Sequence, residues 1–390
     1  MNNIIGLRGY EIEYVNYKNK EVEVALRFEQ RPKSCPCCGE VKLHSKGRYV
    51  RRARHLMSFG RESVLRIDLQ RFRCCSCGRT FVPRLPGILP WRQSSEPFRE
   101  CIYQDHQDGI CGSTLADRRE LGQATVGRIY EQFTRLKASE RLSMNCPQVL
   151  GIDEHSLHRG YQMVTTLCDL KNRRVFDLVE GRSGKDLVGY LSQLKGRKQV
   201  RLVCIDLSSP YRRLIRRFFP NARIVADRFH VIRIVQHHFM NLFKKIAPEV
   251  TRDRGLLAAL RKRPEKLTAY QKQRLFELFE KHPSLKPLYD KQLELRTLLN
   301  IKSLTKKSCQ KHLPQLLRVI EELSDSLLDP LETLAQTLNR WLEPIVCMWR
   351  FMRSNGITEG FHRKMKLIQR RAYGFRNFNN YRLRVIAQCG

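Results

Sequence analysis

The sequence predicts a multi-domain α/β protein, and three observations carry this prediction. Two C-x-x-C cysteine pairs lie within the first 80 residues, short apolar segments alternate with helical patterns between 147 and 246, and leucines recur at helical spacing from 256 to 355. A chain of 390 residues is long enough for two or three domains. We therefore expect segments at 1–90, 91–145, 146–245, 246–340 and 341–390.

The overall charge is strongly positive. The chain has 73 Lys and Arg residues against 38 Asp and Glu, a formal net charge of +35, with 42% hydrophobic and 28% charged residues. Such a field attracts polyanions and favours nucleic acid as the partner, although a ribosome-bound or merely adhesive protein remains an alternative. The chain opens without an apolar signal segment and has no run of about 18 apolar residues, so we expect a cytoplasmic protein without a membrane partner.

The first segment combines short alternating strands with a predicted zinc site. Two cysteine pairs have the two-residue separation that zinc knuckles use, and together they supply four thiolates for a structural Zn²⁺. The predicted ligands are Cys35, Cys38, Cys74 and Cys77. Cys37 and Cys75 are then spare, although a shift of register by one residue and a set of buried free cysteines both stay open.

The segment after the cysteines is predicted to be a linker followed by a helix-turn-helix. Val82–Pro90 is rich in proline, which favours a linker. Ser113–Phe133 then shows two short amphipathic helices separated by Leu121-Gly122, a pattern that DNA-binding modules share with any helical hairpin. Four polar residues of the second helix are candidates for contact with a DNA major groove, with plain core packing as the alternative: Thr125, Arg128, Gln132 and Arg135.

The segment from Pro147 is predicted to be a mixed β/α domain with acids at strand ends. The strands VLGID and LVCID end at Asp153 and Asp206, and a hairpin is predicted around the KNR turn. Carboxylates at the ends of neighbouring strands converge, and a divalent cation such as Mg²⁺ relieves their repulsion. Alternatively each acid caps the element that follows it, although Ser208 and Pro210 already suit that purpose after Asp206.

The chain from 344 to 390 contains ten Lys or Arg residues and one acid, Glu359. If this stretch is helical, four residues fall within roughly 60° of one another, namely Glu359, Arg363, Lys366 and Arg370. Phe361, Met365 and Ile368 would pack on the opposite side. This arrangement suits a metal ligand beside a track of cations for the DNA backbone. The alternative is an acid that the helix dipole favours in the first turn, paired with Arg363.

Four aromatic residues are interleaved with arginine near the carboxyl end of the chain. They are Tyr373, Phe375, Phe378 and Tyr381. Such residues either stack on exposed bases or fill the core, and the core is the preferred interpretation for these aromatics.

The order of these motifs resembles the transposases of bacterial insertion sequences of the ISL-three family. The resemblance rests on the cysteine pairs, the helix-turn-helix and the motifs GIDEHSLHRG, VCIDLSSPYRR, VADRFHV and TEGFHRKMKLIQRRAYGFRNF. It implies a ribonuclease-H-like catalytic domain, interrupted by a helical insertion, with an Asp-Asp-Glu triad at Asp153, Asp206 and Glu359. It also draws attention to Asp227, either as an acid behind the ligands or as a helix cap. Many relatives have Asn where this chain has His362.

The resemblance further implies a function. We expect a nucleoid-associated DNA transposase, working as a homodimer or higher oligomer, that binds terminal inverted repeats in double-stranded DNA. We expect two Mg²⁺ (or Mn²⁺) ions at the triad for strand cleavage and transfer. Two alternatives stay open: a DNA-binding regulator without chemistry on the same scaffold, and a structure-specific nuclease.

Overall fold

The computed structural model describes residues 5–17, 21–58, 60–142, 144–158, 162–302, 305–351 and 356–390. The chain divides into two units, Met1–Leu136 and Lys137–Gly390. The strands in the described residues are β1 Glu11–Tyr17, β2 Glu21–Phe28, β3 Leu43–Ser58, β4 Arg61–Cys74, β5 Thr80–Phe81, β6 Val149–His158, β7 Gln162–Asp169, β8 Arg174–Glu180, β9 Leu202–Ile205 and β10 Arg223–Ala226.

The α-helices of the described residues lie mainly in the second unit. They are α1 Glu96–Asp108, α2 Gly112–Arg118, α3 Gln123–Leu142, α4 Gly184–Gln193, α5 Ser209–Phe218, α6 Arg228–Ile246, α7 Glu249–Arg252, α8 Arg254–Arg261, α9 Ala269–Lys281, α10 Leu285–Leu299, α11 Lys306–Ser324, α12 Asp329–Arg340, α13 Leu342–Arg350, α14 Gly356–Arg371 and α15 Phe378–Cys389. Across the described residues, no helix combines the length and the apolarity needed to cross a membrane.

The first unit is built on a twisted sheet with strand order β1-β2-β4-β3, and β5 pairs with β4. Buried and partly exposed residues alternate along β4, because successive side chains of a strand point to opposite faces. Leu65, Ile67 and Leu69 therefore share one face with Leu26 of β2 and form the centre of this unit's core.

The segment predicted to be a linker packs instead on this sheet, so that prediction is wrong. Leu85 and Ile88 are buried in the same core as β2 and β4. The Tyr10 hydroxyl donates to the carbonyl oxygen of Pro86 over 2.9 Å. Burial of the apolar side chains between the prolines stabilises the packed segment by more than the conformational entropy that the segment loses. The predicted helical pair that follows is present as α2 and α3.

The second unit contains a five-stranded sheet of order β10-β9-β6-β7-β8. The strands β6, β7 and β8 are antiparallel neighbours, whereas β9 and β10 run parallel to β6. The predicted hairpin is confirmed, because Leu170–Arg173 joins β7 to β8. The prediction that β6 ends at Asp153 is wrong. Pairing with β9 stops at Gly151, but pairing with β7 carries the strand on to His158.

Helices cover the sheet and form the predicted helical block. Every regular element in the described residues between 247 and 351 is a helix. A single apolar cluster contains Ile205 of the sheet, Phe239 of α6 and Trp349 of α13, all fully buried. The block is therefore continuous with the core of the β/α part.

Arg382 of α15 anchors the end of the chain to β8. Its Nε and Nη2 donate to the two carboxylate oxygens of Asp177, each over 2.6 Å, and the hydroxyl of Tyr190 donates to the same group over 2.8 Å. We expect Arg382→Ala to lower the free energy of unfolding by about 3 kcal/mol, because Asp177 is almost fully buried and would lose its charged partner. Urea unfolding measures this change. Arg376→Ala, at an exposed position, is the matched control, and equal effects would contradict the prediction.

Candidate active site and metal centre

Three aspartates lie at the same level of three adjacent parallel strands: Asp153 is two residues beyond the last pair of β6 with β9, and Asp206 and Asp227 directly follow β9 and β10. Gly151 pairs with Cys204, and the same register two residues onward reaches Asp153 and Asp206. Ala226 pairs with Ile205, so Asp227 lies one residue beyond β10 as Asp206 does beyond β9. Parallel strands thus deliver all three acids to one edge of the sheet.

A histidine of α6 joins two of these acids. The Nδ1 atom of His230 donates to Asp227 Oδ2 over 2.7 Å and lies 2.7 Å from Asp206 Oδ1. Burial opposes a charged ring, but the contacts with Asp206 and Asp227 outweigh it and raise the pKa of His230 to about 9. A positive imidazolium therefore balances the two carboxylates. The side chain of Asp227 makes no cap hydrogen bond at the start of α6.

Asp153 has the electrostatics of an acid that needs a cation. Burial, followed by the negative charge of Asp206, raises the pKa of the Asp153 carboxyl to about 7. Its Oδ1 accepts one hydrogen bond, from the amide of Glu154 over 2.8 Å. Two crowded acids on a sheet edge repel each other, so their ionised forms together favour bound positive charge.

Glu359 lies on a helix beside these acids but does not contact them. It is in the first turn of α14, its side chain is 53% exposed, and its Oε1 accepts from Arg363 Nη2 over 3.3 Å. One turn further along, His362 Nδ1 lies 3.7 Å from Asp153 Oδ2. The helix therefore abuts β6, while the Glu359 carboxylate points to its own helix.

A buried polar network fastens α14 to the sheet. His362 Nε2 is 3.1 Å from Thr166 Oγ1, and His155 Nδ1 is 3.0 Å from the same hydroxyl. His155 Nε2 is 2.8 Å from the hydroxyl of Tyr381 in α15. Burial lowers the pKa of His362 to about 4 and that of His155 to about 3, so both rings are neutral at pH 7.

The acidic edge fits a divalent cation. Carboxylate oxygens are the ligands that Mg²⁺ and Mn²⁺ prefer. The Oδ1 atom of Asp206 is buried and has no hydrogen-bond partner of good geometry among the described residues. Asp206 and Asp227 also bring one carboxylate oxygen each within 4.8 Å of the other and of His230 Nδ1, which carries a proton at neutral pH and is therefore not itself a ligand. Asp153 and Glu359 are not members of that cluster.

The raised pKa of Asp153 predicts a pH-dependent metal affinity. A cation displaces the proton that Asp153 holds below pH 7, so Mn²⁺ affinity should rise about tenfold between about pH 6 and pH 8. Electron paramagnetic resonance of free Mn²⁺ measures the affinity. Asp153→Asn should flatten the profile between pH 6 and 8, and a flat wild-type profile would refute the assignment.

A second candidate metal centre lies in the first unit. The sulphur atoms of Cys35 and Cys77 are 3.7 Å apart, and those of Cys38 and Cys74 are 3.5 Å apart. A tetrahedral Zn²⁺ with Zn–S bonds of about 2.3 Å requires sulphur atoms about 3.8 Å apart. The structure brings the four predicted ligands within 4.8 Å of one another, while Cys37 and Cys75 are exposed and outside the cluster.

The four α3 residues predicted to contact the DNA major groove differ in exposure and in hydrogen bonding. Arg128 and Arg135 are exposed, and Thr125 is half-buried beside Arg128, whose Nη2 donates to its hydroxyl over 3.1 Å. Gln132 differs, because its Oε1 accepts hydrogen bonds from Arg99 over 2.6 Å and Arg92 over 3.3 Å. That oxygen is therefore engaged within the helical module.

The cationic face of α14 is exposed as predicted, whereas the core interpretation of the aromatic tail is wrong for Tyr373. Arg363, Lys366 and Arg370 are exposed on the face that carries Glu359. The buried face contains Thr358, His362, Met365 and Ile368. Of the tail aromatics, Tyr381 is fully buried and contacts Phe375 and Phe378, whereas Tyr373 is 94% exposed.

Comparisons with known proteins cover the chain segments that contain both candidate metal centres. Residues 150–385 match the model of the ISL3 family described as "Transposase", and residues 31–77 match the model described as the zinc-finger of transposase IS204/IS1001/IS1096/IS1165. The transposase for insertion sequence element IS1001 from Bordetella parapertussis is 27% identical over 405 residues, which cover 99% of this chain and 97% of that protein.

Proposed function

We propose, since the chain belongs to the ISL-three family of transposases, that it cuts the DNA ends of its own insertion sequence and joins them to target DNA. In this proposal Asp153, Asp206 and Glu359 hold two Mg²⁺ or Mn²⁺ ions. When bound, such ions activate water and stabilise the charge of an in-line displacement at phosphorus. The zinc ribbon and the helix-turn-helix bind the terminal inverted repeats.

One observation carries this proposal most. Asp153 and Asp206 lie in the same register on the neighbouring parallel strands β6 and β9, and burial together with the negative charge of Asp206 raises the pKa of Asp153 to about 7. The His230 imidazolium, 2.7 Å from both Asp206 and Asp227, is one positive charge beside three acids, so this edge keeps an excess of negative charge when Asp153 is ionised.

Glu359 reaches the ions by a change of rotamer. Its present partner is Arg363, and both side chains are more than half exposed. An exposed pair of this kind contributes at most about 1 kcal/mol, so breaking it opposes metal binding little. The contact between His362 and Asp153 keeps α14 beside the two acids while Glu359 turns.

The sheet order supports a ribonuclease-H-like catalytic core. Three antiparallel strands continue into two parallel ones, and the candidate ligands lie at the central strand β6, its neighbour β9 and the late helix α14. The helices α7 to α12 would be the insertion between the second acid and Glu359. In this proposal, the catalytic core does not recognise the DNA sequence, and other surfaces of the chain do so.

DNA recognition is proposed for separate surfaces. On α3, Thr125, Arg128 and Arg135 are the candidates for the major groove, and Gln132 orients Arg99 and Arg92 through its oxygen. On α14, Arg363, Lys366 and Arg370 would neutralise backbone phosphates, which makes binding weaken steeply with salt. A dimer or higher oligomer would hold the two ends together.

The test is cleavage and strand transfer on DNA that carries both borders of the insertion sequence. We expect nicking that frees a 3′-hydroxyl and joined products in Mg²⁺ or Mn²⁺, and binding without cleavage in Ca²⁺. Binding without cleavage in every metal would favour a regulator. Cleavage of branched DNA at least as fast as of the borders would favour a structure-specific nuclease.

A further inference from the structure

A basic cleft opens next to the acidic edge of the second unit. Its volume is about 700 Å³, and its lining includes Glu154, directly after Asp153, and Ser208, two residues after Asp206. The amide of Ser208 donates to the carbonyl oxygen of Asp206 over 2.6 Å, which ties this wall to the acid. The cleft is therefore lined by residues that closely follow two of the candidate metal ligands in sequence.

The charge of the cleft favours an anion. Its lining contains three arginines, Arg182, Arg213 and Arg217, and one acid, Glu154. Arg182 lies 3.8 Å from the Glu154 carboxylate. Arg213 and Arg217 are exposed, one helical turn apart on α5, and neither has a carboxylate partner within the part of the chain that the structure describes. Like charges at this spacing cost stability unless something anionic lies between them.

The amino-terminal end of α5 adds to the positive electrostatic potential of the cleft. Ser208 is its first flanking residue, and the Ser208 side chain makes no cap hydrogen bond. The partial positive charge of the helix start thus remains available on the cleft side. The neighbouring α4 differs, since Ser183 and Asp186 form a capping box there and satisfy its first amides. We therefore place the anion at α5 rather than at α4.

We propose that Arg213, Arg217 and the start of α5 bind a backbone phosphate of the DNA strand, one or two nucleotides from the phosphate being cut. The cleft is open and its arginines are exposed, which suits a strand passing through. Leu214 and Pro210 give it an apolar wall for a sugar. This inference rests on the proposed function, because the neighbouring acids are taken as the cutting site.

The test compares two double variants of the full chain by DNA binding in Ca²⁺, with duplex DNA of the insertion-sequence border as the probe. Arg213→Gln with Arg217→Gln removes two charges from the cleft. Lys307→Gln with Lys311→Gln removes two charges from exposed positions of α11, also one turn apart. We expect the slope of log affinity against log salt to fall by about 1 to 2 in the cleft variant and to stay unchanged in the control. Equal slopes for the two variants would overturn the proposal.

Single neutral methylphosphonates in the same DNA locate the contact. A replacement next to the cut should weaken binding of the wild type and have no further effect on the cleft variant. Additive losses at every position would contradict the assignment. Both readouts are binding, so they are independent of chemistry. If the wild type binds DNA without cutting it, only the proposed function is contradicted. If the wild type cuts DNA but the two double variants have equal salt slopes, only the proposed role of the cleft is contradicted.

Discussion

Replacing Asp206 by Asn is expected to lower the rate of Mg²⁺-dependent DNA cleavage by about a thousandfold. The amide keeps the size of the side chain and can still accept from His230, but it removes the negative charge that holds a divalent ion. Loss of metal-derived stabilisation amounts to several kcal/mol of the barrier, and about 4 kcal/mol corresponds to a factor of a thousand. Gel assays of single-turnover cleavage measure the effect.

The Asp206→Asn variant should lose cleavage activity but keep its affinity for DNA. Border-DNA affinity in Ca²⁺ should change by less than about twofold, because the recognition surfaces lie elsewhere. Asp290→Asn is the control, since Asp290 is an exposed acid paired with Lys286 on α10. Glu359→Gln should match Asp206→Asn in size. Normal cutting by the Glu359 variant, with loss in the Asp206 variant, would remove Glu359 from the proposed ligand set.

Replacing Cys74 by Ser is expected to abolish zinc binding and to unfold the zinc end of the first unit. Cys74 is buried at the end of β4, and its sulphur lies 3.5 Å from that of Cys38. The surrounding core is small, formed by Cys35, Leu43 and Phe72 with Phe81 against it. In zinc-finger peptides, Zn²⁺ binding contributes about 10–16 kcal/mol to the free energy of folding. The small apolar core around Cys74 cannot supply a stabilisation of that size, so this region should unfold without the metal.

Zinc content by mass spectrometry and thermal unfolding measure this prediction. The wild type should hold one zinc per chain, and Cys74→Ser should hold none and lose border binding. Cys37→Ser and Cys75→Ser are matched controls, because both residues are exposed neighbours outside the cluster. Zinc loss in either control would show that the register of the ligands is shifted by one residue.

The spacing of residues along the chain predicted those parts of the two candidate sites that lie within a single turn, strand or helix. The cysteine pairs lie on two tight turns, and their separation favours Cys35, Cys38, Cys74 and Cys77, whereas the structure is needed to set the shifted register aside. Asp206 was predictable because a polar residue after an apolar strand marks the edge of a sheet, and Asp153 lies in register with it although β6 continues to His158. The exposed face of α14 followed from the helical period.

The remaining features depend on tertiary packing. His230 was not identified, because its role appears only when α6 follows β10 and brings it beside Asp206 as well as Asp227. The i,i+3 spacing of Asp227 and His230 was the available signal. The buried pair of His155 and His362 was missed for the same reason, since Thr166 of another strand joins them. The linker prediction failed because composition does not report the burial of Leu85 and Ile88.

The central claim is that Asp153, Asp206 and Glu359 surround one metal centre, and iron-directed cleavage tests it most directly. Fe²⁺ bound in place of Mg²⁺ generates hydroxyl radicals with ascorbate and peroxide, and these radicals cut the polypeptide near the metal. The account predicts cuts next to all three residues, suppressed together by excess Mg²⁺ and by Asp206→Asn. Cuts beside Asp153 and Asp206 without any near Glu359 would contradict it.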